Sequence, residues 1–256
     1  NWFKGMFTPG IGVKNSEGFS AKDFALKNAG WMATNLIIRR GRKDDRTDGF
    51  LDYIQEFCPP ASEKMEIESV EQMTAELKHA CRTFGASDVG VTAYDPRWHY
   101  SKNFSAKTLE EKEYGIPEGL QNVIVVLTEM DHDAIRTYPS ATAGFATGSG
   151  YSHDCVMTLS IATYIQNMGY RAVASVNDTS QGIPYAIQAG LGEYGRSGLL
   201  INPKFGPRMR IGRIHTDLPL IHDKPIRFGM REFCEVCRRC TDACPPKAIP
   251  DGDPSP

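Results

Sequence analysis

The chain has 256 residues, 41% of them hydrophobic and 23% charged, which is enough to bury one sizeable core and excludes disorder, collagen and coiled coil. Lys and Arg total 29 against 31 Asp and Glu, so a formal charge of −2 gives no global electrostatic case for a nucleic-acid partner, and none is expected. The longest apolar stretches, such as Val123 to Leu127, fall far short of the roughly 20 residues a membrane-crossing helix needs.

In chain order, residues 1–62 form a mixed N-terminal segment. It has a Gly/Pro-rich start at Thr8 to Gly12, a helix expected over Ala21 to Ile38, a solvated charge run over 39–46, and a linker at Pro59-Pro60-Ala61-Ser62. The pattern then becomes regular. Ser69 and Gln72 make a capping box for a helix whose apolar positions are Val70, Met73, Leu77, Ala80, Cys81 and Phe84, ended by Gly85. Strands are expected over 88–93 and 122–127, the second an unbroken apolar run suited to burial on both faces. A long helix fits Ser152 to Met168, opened by Tyr151 and stopped by Gly169. After it come a strand over 171–176, a short helix over 183–189, and strands over 198–201 and 210–215. Strands and helices alternate, so the fold class is α+β, a layered mixed α/β domain over residues 63–222.

The turn Gly190-Leu-Gly192-Glu-Tyr-Gly195 spells a dinucleotide fingerprint. Its context is wrong for one, because a helix precedes it and Pro203 leaves no room for the phosphate-binding helix. Gly192 and Gly195 are read instead as permitting close backbone approach to another large ligand.

Four of the seven cysteines fall in one run, Cys234-x-x-Cys237-x-x-Cys240-x-x-x-Cys244-Pro245. Such clustering brings thiolates to one inorganic centre instead of stapling distant loops, and the spacing is that of a bacterial 4Fe-4S ferredoxin. A structural zinc site would more often use two pairs separated by a longer loop. In the ferredoxin arrangement the fourth thiolate serves a second cluster, whose own cysteine run is absent here. Residues 223–256 therefore read as the truncated start of a ferredoxin-like domain, and both chain ends, Asn1 and Pro254-Ser255-Pro256, read as processed or cut. Cys58, Cys81 and Cys155 stand alone as small buried hydrophobes. The six histidines, His79, His99, His132, His153, His215 and His222, show no metal-binding spacing and are read as solvent or core residues.

Several segments together resemble one family. They are Phe84-Gly-Ala-Ser-Asp-Val-Gly-Val91, Tyr94-Asp-Pro-Arg-Trp98, Thr128-Glu-Met-Asp131, Gly192-Glu-Tyr-Gly-Arg-Ser-Gly198 and Phe205-Gly-Pro-Arg-Met-Arg210, closing with the cysteine run. Their ordered set, over roughly residues 65 to 250, is similar to the corrinoid iron-sulfur reductive dehalogenases. The resemblance implies a nitroreductase-like domain holding base-off cobalamin, followed by a ferredoxin-like domain whose two 4Fe-4S clusters pass single electrons to cobalt. It implies a small organohalide substrate, an external electron donor and a small membrane-anchor partner. It also implies export by the twin-arginine route to the outer face of the cytoplasmic membrane. The family's proton donor is a tyrosine helped by an asparagine and an arginine, which match Tyr151, Asn177 and Arg210. A phenol titrates near pH 10 in water, so it carries a proton at neutral pH, and an adjacent guanidinium stabilises the phenolate left behind. Thr147, Ser149, Gly192, Gly195 and Arg196 are the matching cofactor-binding candidates, and Cys234, Cys237, Cys240 and Cys244 the metal ligands.

Two other readings share parts of this pattern. Epoxyqueuosine reductase uses the same cobalamin domain on transfer RNA, with an aspartate expected where this chain has Tyr151 and a basic face for the RNA backbone. A plain electron-transfer module would hold iron and no cobalt.

Overall fold

The computed structural model describes residues 13–14, 16–37, 61–105, 109–113, 116–177 and 179–252. The charge run at 39–46, Cys58, Pro59-Pro60 and the terminal Pro254 to Pro256 lie outside them.

Helix α1, Ala21–Gly30, starts at Ser20, whose hydroxyl accepts from the Asp23 amide while the Asp23 carboxylate accepts from the Ser20 amide. The helix expected to run on to Ile38 breaks at Trp31 and resumes over 32–37. The break is where the chain presses onto a longer helix, and Trp31 Nε1 donates to the Gly144 carbonyl at 2.9 Å. Helix α2, Val70–Thr83, is capped by Ser69, which accepts from the Gln72 amide. Only half of the expected capping box forms, because the Gln72 side chain donates to Glu76 one turn along, at 2.7 Å. Met73, Leu77 and Cys81 are buried as the spacing required, and burial pushes the Cys81 thiol up to about 12.

Strand β1 is Asp88–Ala93, and a small hairpin follows, β2 at Lys102–Ser105 and β3 at Glu110–Glu113. Then come β4 at Asn122–Glu129, the short α3 at His132–Ile135, the long α4 at Ala141–Asn167, and β5 at Ala172–Ser175. Helix α5 is Gly182–Gln188, β6 and β7 are the two-residue strands Glu193–Tyr194 and Leu200–Ile201, and β8 is Met209–Thr216. Helices α6, Met230–Val236, and α7, Arg239–Ala243, carry the cysteine run.

The main sheet has the order β1-β4-β8-β5, with every pair antiparallel. Period-two alternation along β4 divides its apolar run between two cores. Ile124 and Val126 join Val91, Ile214 and the buried faces of α2 and α4, whereas Val123, Val125 and Leu127 pack with Tyr185 and Ala186 of α5 and with Leu200. Each of these side chains is removed from water, worth roughly 1.5–3 kcal/mol apiece, so the central strand is fixed from both sides. The α+β class is as expected, with helices covering both faces of an antiparallel sheet.

Two expectations about the layout change. Helix α4 begins at Ala141, capped by Ser140 Oγ accepting from the Ala143 amide, so Thr147 to Tyr151 are interior turns of the helix and Tyr151 does not open it. The glycines in those turns are there for close packing: a Cβ at Gly148 would lie 2.3 Å from the Trp31 ring, and one at Gly150 would lie 3.0 Å from Arg210 Cγ. Secondly, the helix expected over Ala21 to Ile38 is in two pieces, of which α1 lies along α4.

Candidate active site

One end of the sheet assembles the site. Tyr151 projects from α4, Asn177 follows β5, and Arg210 lies on β8 in register with Thr128 of β4. Asn177 Nδ2 donates to Tyr151 Oη at 2.5 Å and Arg210 Nη1 donates to the same oxygen at 3.1 Å. The Arg210 guanidinium also lies 4.6 Å from the centre of the tyrosine ring, while Arg210 Nε reaches Met130 Sδ at 3.3 Å. Trp31 stacks obliquely on Tyr151 with ring centroids 5.5 Å apart. The phenol oxygen thus accepts two hydrogen bonds, which leaves its own proton available to a third group.

That group would come from the adjoining cleft, a cavity of about 730 Å³ that Tyr151, Asn177, Arg210 and Arg213 line together with Trp98, Ile183, Leu199, Pro207 and Met209. Most of the wall is apolar, and the polar groups named first include the three that meet at the phenol. Such a cleft suits an uncharged, flat or compact organic molecule presented to one acidic proton.

The loop that carries Asn177 is anchored from beneath. Arg213 is buried, with Nε donating to Ser180 Oγ at 2.9 Å and Nη2 donating to Ser175 Oγ at 3.2 Å. His99 forms an isolated bridge with Ser180 and bonds Tyr185 Oη through Nε2 at 2.8 Å. Burial, reinforced by the Arg213 charge, pulls His99 down to about 4, and burial holds His215 well below the usual histidine range. Both rings are neutral at pH 7 and act as packing and hydrogen-bonding groups, as expected for core histidines.

The remaining candidates fall elsewhere. Thr147 and Ser149 sit on α4 within one turn of Tyr151, outside the lining of the cleft. Gly192 and Gly195 do permit close approach, but to their own hairpin: Cβ atoms there would lie 2.3 Å from the Ile201 carbonyl oxygen and 2.8 Å from Ile201 Cγ1. Their neighbours Tyr194 and Leu199 reach the cleft in their place. Arg196 faces the cysteine run. Its guanidinium donates to the carbonyls of Cys234, Pro250 and Gly252, and its amide points at Cys234 Sγ at 3.5 Å.

In the cysteine run, Cys234 is buried and Cys237, Cys240 and Cys244 are half-buried, all as free thiols. The donor set, thiols on two short helices (Cys234, Cys240) and just past the end of each (Cys237, Cys244), fits an iron-sulfur centre. Among the described residues, however, no three Cys, His, Asp or Glu side chains are gathered closely enough to hold a metal ion.

Sequence reasoning missed Trp31, Met130 and Asp154. Trp31 carries no signal in sequence, since it lies 120 positions before the ring it touches. Asp154 does carry one, because it stands three residues after Tyr151 among Cys155, Met157 and Leu159, an acidic residue on the buried side of a helix.

No protein-family model matches the chain. It is 39% identical over 223 residues to the tetrachloroethene reductive dehalogenase of Desulfitobacterium hafniense, a match covering 73% of this chain and 40% of that protein. The fold resembles a solved reductive dehalogenase described in connection with B12-dependent dehalogenation, with TM-score 0.63 and 27% identity over 74% of this chain and 27% of that one. An epoxyqueuosine reductase from Cyclobacterium marinum is 42% identical, but over only 65 residues, 25% of the chain. The chain thus spans about 40% of the length of the dehalogenase it matches.

Proposed function

From a chain related over most of its described length to the reductive dehalogenases, we propose an enzyme that replaces the halogen of a small organohalide by hydrogen, with Tyr151 as the proton donor. The observation that carries this reading is the convergence of Asn177 and Arg210 on the Tyr151 oxygen at the edge of an apolar cleft. As the phenol proton passes to the substrate carbon, negative charge collects on Oη, where a guanidinium and an amide N–H already point. Arg210 is held for that task by Met130 and by the face of the tyrosine ring, so it does not reorganise when the charge appears. The apolar wall keeps water from competing as acid and favours a neutral halocarbon over ions.

The residues fit the cofactors this reading requires. Trp98, Leu199, Pro207 and Met209 offer an apolar wall on which a corrin would lie, and cobalamin, when bound, supplies the reducing cobalt centre for carbon–halogen cleavage. Cys234, Cys237 and Cys240 would hold one 4Fe-4S cluster, and Cys244 would serve a second, so that electrons from an external donor arrive singly. The family resemblance adds attachment to the outer face of the cytoplasmic membrane through a small anchor protein, after twin-arginine export. Among the described residues no helix is long and apolar enough to cross a membrane.

The test is anaerobic expression of the gene with corrinoid supplied, followed by metal analysis and halide release from chlorinated ethenes. One cobalt and about eight irons per full-length chain, the second cluster's cysteines lying outside these 256 residues, with turnover lost by roughly 10²–10⁴ in Tyr151→Phe at unchanged cobalt content, is the expected result. Iron without cobalt would leave an electron-transfer protein. Full turnover in Tyr151→Phe would remove the tyrosine as the acid.

A further inference from the structure

One titratable side chain beside the site has no place in the chemistry above. Asp154 lies one turn after Tyr151 on α4, fully buried. Its Oδ1 accepts a short hydrogen bond from Thr128 Oγ1, and its Oδ2 is buried with no hydrogen-bond partner among the described residues. Thr128 is the register partner of Arg210 across the β4–β8 pair, and the Asp154 carboxyl carbon lies 3.7 Å from where a Cβ on Gly212 would stand, two residues along β8 from the arginine that contacts the phenol. The charged groups acting on it are Arg210 and Arg213, both from β8. From β4 it meets the neutral Thr128, and from its own helix Tyr151 is one turn away.

Packing gives no reason for an acid here. A buried carboxyl with an unpartnered oxygen costs about 1–3 kcal/mol, and an apolar residue of similar volume would avoid that cost. Burial pushes Asp154 up to about 7, against the opposing pull of the Thr128 hydroxyl and the two guanidiniums. Both charge states are therefore populated near neutral pH.

We propose that Asp154 is a positioning residue that sets the strength of the Tyr151 acid through Arg210. When its carboxyl is protonated, the Arg210 charge acts in full on the developing phenolate. When it is ionised, a second negative charge near Arg210 offsets that stabilisation, and the phenol gives up its proton less readily. The inference rests on Tyr151 being the acid, but the quantities it predicts can be read without turnover.

The experiment uses the purified, cofactor-loaded protein in two measurements. In pH-difference infrared spectroscopy, wild type should show a protonated-carboxyl band that disappears between pH 6 and 8 and is absent from Asp154→Asn. With [¹³Cζ]tyrosine, the Tyr151 resonance, identified by its loss in Tyr151→Phe, should report an acid dissociation constant about tenfold larger in Asp154→Asn than in wild type. Thr128→Val keeps the carboxyl while removing the bond that favours its ionised form, so its infrared midpoint should move to higher pH, which preserves the test should the asparagine variant not fold. Equal Tyr151 titrations in wild type and Asp154→Asn, or a wild-type carboxyl band that does not change across pH 6–8, would overturn the proposal and leave dehalogenation standing. Absence of dehalogenation with these titrations intact would instead overturn the functional reading. In the active enzyme the matching signature is a rate that falls above pH 7 in wild type and stays level in Asp154→Asn.

Discussion

Tyr151, Asn177 and Arg210 come from a helix, a strand end and a central strand, yet their polar atoms already touch. Cys234, Cys237, Cys240 and Cys244 lie within eleven consecutive residues, yet no three of them are gathered closely enough to bind a metal. Proximity along the chain and readiness in space are thus inverted between the two regions. The first owes its geometry to two hydrophobic cores that fix β4, β8 and α4 before any ligand arrives. The second has two short helices and little apolar burial of its own, so under the proposed function a bound iron-sulfur centre would have to draw its thiols together.

Cys237→Ala is the sharpest probe of that contrast. It should remove about four irons per chain and abolish turnover while amide exchange across β4 and β8 stays slow. Fast exchange in β4 would show the sheet depends on the cluster and would erase the distinction. Arg210→Met comes next, with turnover reduced roughly 10²-fold, iron and cobalt contents unchanged, and the melting temperature little altered, all measurable on one preparation. Gly148→Ala should cost about 1–3 kcal/mol, because the new methyl enters the Trp31 ring. Chemical denaturation measures that loss, and tryptophan fluorescence should report the displaced ring. The smallest effect concerns acid. His99 is held near 4 in the folded protein, below its unfolded value of 6.5, so its contribution to stability is complete above 6.5 and is lost as pH falls from there through 4. The urea midpoint should accordingly drop between pH 6.5 and 4.5, and drop less in His99→Gln.

Much of the frame was legible in sequence because it depends on local patterns. The alternation in β4 and the spacing of Met73, Leu77 and Cys81 each report their structure within a few residues. Tyr151, Asn177 and Arg210 became visible only through the family resemblance, since no spacing rule links residues separated by 26 and 59 positions. The early start of α4 is not legible for a physical reason: Gly148 and Gly150, just before Tyr151, weaken a helix until their packing partners are known. Arg196 closes its fork of donors on the carbonyls of the cysteine segment, a contact that no local pattern announces. Long-range partners of this kind leave no periodic trace.

The three glycines of α4 have an evolutionary corollary. Each weakens the helix by about 1 kcal/mol relative to alanine, so drift toward alanine would be favoured wherever nothing opposed it. At position 148 the opposition is Trp31, and at 150 it is chiefly Arg210, with Met130 in ordinary contact. Glycine and neighbour can therefore change only together. In an alignment of relatives, alanine at 148 should accompany a smaller residue at 31, and alanine at 150 a different side chain at 210, so that covariation at two helix positions would trace which lineages kept this constellation and which rebuilt it.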